Sequence, residues 1–100
     1  MSVFGDIIST SKPVLIVFYA GWHYLTEDVS TSIQQVADSL GEAVRVIKID
    51  IDRNKELTKK LQINGIPTYM IFYKGELVWR TEALQPTANL ISAIKPFIES

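Results

Sequence analysis

The sequence predicts an α/β fold in which a four-stranded mixed sheet carries helices on both faces, with an extra helix at the N-terminus. Two observations give this prediction. Apolar, β-branched runs at residues 13–19 and 43–51 flank a long amphipathic segment, which indicates a βαβ unit. Two further runs, at residues 67–73 and 76–80, flank a Lys-Gly dipeptide and precede another amphipathic segment, which indicates a ββα unit. The sheet is therefore expected to have a parallel half and an antiparallel half.

The composition is typical of a compact globular domain. The chain has 100 residues, of which 47% are hydrophobic and 21% are charged, and this length supports one domain over residues 1–100 with its own core. The formal net charge is −1 and the one basic pair lies at residues 59–60, so the chain offers no general attraction for nucleic acid. The absence of cysteine excludes disulfides, thiolate metal sites and thiol catalysis, and no cofactor is expected.

The N-terminal segment predicts a short helix that ends near Thr10. Its apolar residues recur at helical spacing, at Val3, Phe4, Ile7 and Ile8. The segment has neither a basic leader nor a sustained apolar stretch, so we expect a cytoplasmic location. The longest apolar run, at residues 14–20, is far too short to cross a bilayer, and no membrane partner is expected.

The first two strands are joined by the long amphipathic helix. Residues 13–19 (PVLIVFY) are apolar on both faces, which is typical of a central strand buried on both sides. The following apolar stripe has helical spacing, at Val29, Ile33, Val36, Ala37 and Leu40. Gly41 stands where a glycine commonly ends a helix. Because strand–helix–strand connections are right-handed crossovers, the strand at residues 43–51 should run parallel to the first.

The second half of the chain predicts a short helix, a hairpin and a closing helix. Residues 52–63 contain the short helix, with Leu57 and Leu61 facing inward. The Lys-Gly dipeptide at residues 74–75 is expected to form the tight turn of the hairpin. The last helix spans about residues 87–98, and Pro96 is expected to loosen or kink its final turn.

Three stretches of this chain together resemble the thioredoxin family. VFYAGW at residues 17–22 is similar to the strand that leads into the family's Trp-Cys-Gly-Pro-Cys motif. VIKIDIDRNKEL at residues 46–57 resembles its second parallel strand, and NGIPTYMIFYKGELV at residues 64–78 resembles its cis-proline loop and hairpin. The resemblance runs from about Lys12 to the C-terminus. It implies the thioredoxin fold, a cis Ile66–Pro67 bond, and a groove in which this loop pairs with an extended substrate peptide. The family activity is protein-disulfide oxidoreduction in cell redox homeostasis.

The same resemblance marks what is missing. The two cysteine positions of the family motif fall on His23 and Thr26, and the Gly-Pro between them becomes Tyr24 and Leu25. The family's buried acidic residue, which assists proton transfer, falls at Val17, which cannot titrate. Two further family positions, a helix proline and a loop glycine, correspond to Thr31 and Glu82. Nucleophile, resolving thiol and proton relay are absent together, so no catalytic residue is predicted.

Residues near the motif have structural interpretations. Thr26 is predicted to be a helix N-cap, with Glu27 and Asp28 in the first turn. His23 is interpreted as a surface residue at the helix terminus, because it has no Asp or Ser partner in the motif and too few companion ligands for a metal site. Two acidic residues, Asp50 and Asp52, are interpreted as solvated strand-end residues. Two aromatic residues, Tyr73 and Trp79, are predicted to be packing residues of the hairpin.

The leading functional hypothesis is a redox-inactive domain that binds a protein or peptide, as a monomer or weak homodimer. Trp22, Tyr24 and Leu25 are expected to form an exposed apolar patch opposite the proline loop, and such patches commonly mark contact surfaces. The predicted binding residues are Trp22, His23, Tyr24, Leu25, Thr26, Ile66 and Pro67. A second hypothesis is a disulfide oxidoreductase whose cysteines were replaced in this chain. A third is a cysteine-independent enzyme that uses His23 as a base.

Overall fold

The computed structural model describes residues 3–98, and it contains the predicted helices and strands in the predicted order. They are α1 (Val3–Ile8), β1 (Val14–Tyr19), α2 (Thr26–Leu40), β2 (Arg45–Asp50), α3 (Lys55–Lys60), β3 (Thr68–Tyr73), β4 (Glu76–Thr81) and α4 (Thr87–Ile98). A short 3₁₀ turn at Gly41–Ala43 separates α2 from β2. Within residues 3–98, no helix combines the length and apolar composition that a membrane crossing requires.

The four strands form one mixed sheet in the order β2-β1-β3-β4. Strand β1 pairs in parallel with β2 and antiparallel with β3, and β4 pairs antiparallel with β3. The hairpin turns at Lys74 and Gly75, whose φ angles of 53° and 84° match the left-handed conformation of a two-residue hairpin turn. The predicted fold class, a βαβ half joined to a ββα half, is confirmed.

The core has two halves, one on each face of the sheet. Successive residues of a strand point to opposite faces. Leu15 and Val17 of β1 therefore pack with α2 and α4, whereas Ile16 and Phe18 pack with the side chains of α1 and α3. All four side chains are fully buried. Strand β1 thus lies at the centre of the domain, and its C-terminal end positions the segment that joins it to α2.

The bounds of β2 and α1 differ from the prediction. Strand β2 begins at Arg45 rather than at residue 43, because Gly41–Ala43 forms a 3₁₀ turn. Helix α1 ends at Ile8 rather than near Thr10, because the Thr10 hydroxyl bonds the Lys12 carbonyl in a turn that leads into β1. Helix α2 ends as predicted at Gly41, which has a φ of 54° and donates its N–H to the carbonyl of Ala37.

Pro96, which was expected to loosen or kink the final turn of the last helix, does not end that helix. Helix α4 runs past Pro96 to Ile98. The amide that proline lacks would have served the carbonyl of Ser92, which lies in an exposed position where water can serve it instead.

Candidate functional site

The segment between β1 and α2 is a tight double turn. The His23 N–H donates to the Ala20 carbonyl at 3.0 Å, and the Thr26 N–H donates to the His23 carbonyl at 3.2 Å. The predicted N-cap role of Thr26 is wrong: Thr26 is the first helical residue, and Leu25 occupies the cap position without a side-chain bond. The Thr26 hydroxyl instead donates back to the Ala20 carbonyl. This bond holds the start of α2 against the end of β1.

Two aromatic residues of this turn lie on the surface. Trp22 is 71% exposed and Tyr24 is 84% exposed, whereas Leu25 and His23 are half-buried. The three rings follow one another, with centroids 5.8 Å apart from Trp22 to His23 and 4.8 Å apart from His23 to Tyr24. Large apolar side chains that remain this exposed commonly belong to contact surfaces. The expected patch therefore consists of two exposed rings with a partly covered leucine beside them.

Two acidic residues have specific partners that sequence reasoning missed. The Trp22 indole N–H donates to Oδ2 of Asp52 at 2.8 Å, across 30 residues of sequence. The Asp52 N–H in turn donates to Oδ1 of Asp50 at 2.8 Å. The interpretation of both as solvated strand-end residues agrees with the structure, in which Asp50 ends β2 and Asp52 is exposed, but Asp52 also orients the indole of the candidate site. Two aspartates spaced two apart carry no sequence signal for this contact.

The proline loop lies directly against the turn. The Ile66–Pro67 peptide bond is cis, and Pro67 is buried while Ile66 is half-buried. The Thr68 hydroxyl donates to the Gly65 carbonyl at 2.6 Å, which closes the loop at the start of β3. A narrow crevice separates loop and turn, lined by Tyr19, Ala20, His23, Thr26, Val29, Ile66 and Pro67. The crevice is too narrow to hold a water molecule, so this site offers a contact surface and not a small-molecule pocket.

His23 sits at the crevice without the partners that base catalysis uses. Its Nδ1 accepts the Leu25 N–H at 3.3 Å. Among the hydrogen bonds of the described residues, none joins His23 to a carboxylate. The described part of the chain also contains no group of three His, Cys, Asp or Glu side chains that could hold a metal ion. The site therefore brings together aromatic and backbone groups rather than a proton-transfer pair.

The residue beneath the site, Val17, is apolar. Val17 is fully buried and pairs across the sheet with Lys48 on β2 and with Tyr69 on β3. Lys48 donates to the Ser30 hydroxyl at 2.8 Å, and its ammonium lies 4.8 Å from the centre of the Tyr19 ring. No carboxyl group is therefore present at Val17 to exchange a proton with the turn above.

Tyr69 is a buried titratable group next to this position. Burial raises the pKa of the Tyr69 phenol, and the backbone of Gln85 lowers it by a smaller amount. No described residue meets hydrogen-bond geometry with the hydroxyl. Because the ring is fully buried, Tyr69 belongs to the core and cannot contact a ligand at the crevice.

Arg80 supports the loop from behind. Its guanidinium donates to the Leu61 carbonyl at 2.8 Å and to the Gln62 carbonyl at 2.9 Å. Gln62 has a φ of 55°, a conformation that costs a non-glycine residue energy, so the chain turns sharply here. Arg80 thus ties β4 to the start of the segment that ends at Pro67. A single arginine in an edge strand gave no sequence signal for this role.

Comparisons with known proteins agree on one family. The family model described as Thioredoxin matches residues 2–96. The chain is 33% identical over 96 residues to a thioredoxin-like protein of Synechocystis sp., covering 95% of this chain and 91% of the relative. It is also 33% identical over 99 residues to chloroplastic thioredoxin Y of Oryza sativa, where it covers 98% of this chain but spans 59% of the relative's length. Among solved structures, a mutant thioredoxin from Halobacterium salinarum superposes with a TM-score of 0.87 at 29% identity, covering 97% of this chain and 84% of that one.

Proposed function

Because this chain belongs to the thioredoxin family and contains no cysteine, we propose that it is a redox-inactive domain that binds a protein or peptide through the family's substrate groove. The residues of the proposed site are Trp22, His23, Tyr24, Leu25, Thr26, Ile66 and Pro67. The partner is an extended segment of polypeptide that covers the aromatic side chains and pairs with the backbone of the proline loop. No thiol is needed for this kind of binding.

One observation carries the proposal: among the described residues, the two most exposed large apolar side chains flank His23, which lines the crevice together with Pro67. Trp22 and Tyr24 are 71% and 84% exposed. Aromatic anchors of this kind dominate the binding energy of many interfaces. The hydrogen bond from Trp22 to Asp52 supports the proposal further, because it holds the indole in one orientation before a partner arrives.

Peptide selection tests the binding role. A library of extended peptides about ten residues long would be selected on the intact chain, and the enriched peptides titrated into labelled protein while backbone amide signals are followed by NMR. We expect enriched sequences with a common pattern, and amide shifts concentrated at residues 22–26 and 65–68. Selection that enriches no common pattern, or shifts that cluster on another face, would contradict the proposal.

A separate assay tests the proposal that the chain is redox-inactive. In an insulin-reduction assay with dithiothreitol, the chain is expected to match the rate without protein, because the chain has no thiolate to attack a disulfide. A rate above that background would overturn this part. A cysteine-containing thioredoxin serves as the positive control.

A cytoplasmic location and a monomeric or weakly dimeric state complete the proposal. Cell fractionation against a cytosolic marker tests the first. Sedimentation over a range of protein concentrations tests the second, and a tight dimer at the lowest concentration would contradict it.

A further inference from the structure

A second concave surface lies on the opposite face of the domain from α2 and α4. It is a cavity of about 1180 Å³ between α1 and α3, open to solvent, above strand β2. Its apolar lining comes from three elements: Phe4 and Ile7 of α1, Ile47 and Ile49 of β2, and Leu57 and Leu61 at α3. All but Ile49 are only half-buried, so the floor and walls of this α1–α3 groove keep apolar surface in contact with water.

The rim of the α1–α3 groove is strongly basic. Four exposed cations line it, namely Arg53, Lys55, Lys59 and Lys60, against the single carboxylate of Glu56. Lys48 lines it too, but its ammonium bonds Ser30. The four cations are drawn from the ten of the whole chain, whose net charge is −1. The rim is thus a local excess of three positive charges on a nearly neutral protein, and it favours an anionic ligand.

Strand β2, which forms the floor, is also an edge of the sheet. In the order β2-β1-β3-β4 it has a neighbour on one side, and within residues 3–98 no strand pairs with its other side. The outer N–H and C=O groups of Arg45–Asp50 can therefore accept an added strand. An extended peptide uses this edge and the groove together, whereas an acyl chain would leave the edge unpaired.

We propose that the α1–α3 groove binds an extended acidic segment of a partner protein, which adds a strand beside β2. Its apolar side chains fill the groove, and its carboxylates lie at the end nearer α3, against Arg53 and Lys60. This site is separate from the crevice at Pro67, with which it shares no lining residue. It does not depend on the function proposed above.

The probe is a synthetic peptide with an alternating Val-Thr core and two glutamates at each end, titrated by calorimetry and by NMR. We expect amide shifts on residues 45–50 and binding that weakens as salt rises from about 50 to about 300 mM. The same peptide with lysine in place of glutamate should not bind. Arg53→Glu with Lys60→Glu should weaken binding about tenfold or more, since like charges then face the peptide. These two residues line the groove but not the neighbouring depression that contains Asp52.

Lys12→Glu with Lys95→Glu is the matched control. It changes the net charge by the same amount at exposed positions that do not line the groove, and it should alter binding less than about twofold. Trp22→Ala should also leave binding unchanged. If circular dichroism shows that the Arg53 and Lys60 reversal disturbs folding, glutamine at both positions replaces it.

Four results would overturn the proposal. The first is a glutamate peptide that fails to bind at millimolar concentration, and the second is equal binding to the charge-reversed variant. Its amide shifts could fall on residues 22–26 and 65–68 instead of β2. Finally, sodium dodecanoate could occupy the groove where the peptide does not, in which case the site takes an anionic amphiphile.

Discussion

Replacing Trp22 with alanine is expected to weaken the binding of a groove peptide by about 1–3 kcal/mol, which raises Kd about 5- to 150-fold. The size of this loss follows from the exposed area of the Trp22 side chain. A tryptophan side chain can bury up to about 250 Å², and with 71% of the residue exposed, about 180 Å² is left for a partner to cover. At about 25 cal/mol per Å² the ceiling is about 4.5 kcal/mol. Incomplete coverage and the ordering of the peptide reduce this to the expected range.

The fold should tolerate this substitution. The one hydrogen bond that the Trp22 side chain makes in the described structure goes to Asp52, and both groups are exposed. A bond of this kind contributes about 0.5–1.5 kcal/mol at most, because water replaces it. The urea midpoint of unfolding should therefore change little, and the far-ultraviolet circular dichroism spectrum should not change.

The assay uses the two tryptophans of the chain. In a Trp79→Phe background Trp22 is the sole indole, and its fluorescence should shift to shorter wavelength when a peptide covers it. The affinity of Trp22→Ala is then measured by calorimetry against Leu77→Ala, which shortens another exposed apolar side chain, 47% exposed, on β4. A change of less than twofold for Trp22→Ala, or equal losses for both variants, would refute the reasoning.

Three further predictions concern the supporting structure. Because burial raises the pKa of Tyr69, the unfolded chain ionises first above about pH 10 and the free energy of unfolding falls as pH rises from there. Tyr69→Phe should remove this alkaline loss and be no less stable at pH 7, because no described residue meets hydrogen-bond geometry with the hydroxyl. Urea titrations at pH 7 and above about pH 10 test this, and equal alkaline losses in the two proteins would contradict it. Arg80→Ala should lower the free energy of unfolding by about 1–3 kcal/mol in the same titration, because two carbonyls after α3 lose their donor. Glu82→Gln removes one 3.9 Å ion pair and should lower the free energy of unfolding by less than about 0.5 kcal/mol. Thr26→Val should lower the free energy of unfolding by about 1 kcal/mol, because it removes the hydrogen bond to the Ala20 carbonyl. Thr26→Ser keeps the hydroxyl and should lower it much less, and equal effects of the two variants would show that the hydroxyl is unimportant.

Much of the fold could be predicted from local patterns. The β-branched run at residues 13–19 predicted β1 because strands buried on both faces are apolar at every position, and β1 begins at Val14. Helix α4 has the predicted bounds because its apolar residues keep one helical period over its whole length. The boundaries that were wrong, such as the end of α1 near Thr10, depend on turns whose bonds the period of the pattern does not contain.

Part of the candidate site could also be predicted from the sequence, and part of it depends on the tertiary structure. The sequence by itself determined that this chain has no thiol and no titratable group at Val17, and that Trp22 and Pro67 stand in stretches resembling a thioredoxin groove. These facts concern residue identity, and no folding step can change them. They were sufficient to exclude disulfide chemistry.

The tertiary structure alone decided which side chains meet. Packing brought Asp52 to the Trp22 indole across 30 residues and set the Arg80 guanidinium on two carbonyls of the loop before Pro67. It also gathered the basic residues that follow β2 around one apolar groove. The physical reason is that helix and strand periodicity reports only which face of an element is apolar. The distance between two polar atoms far apart in the chain depends on how several elements pack, and a hydrogen bond forms only within a few tenths of an ångström of its preferred length.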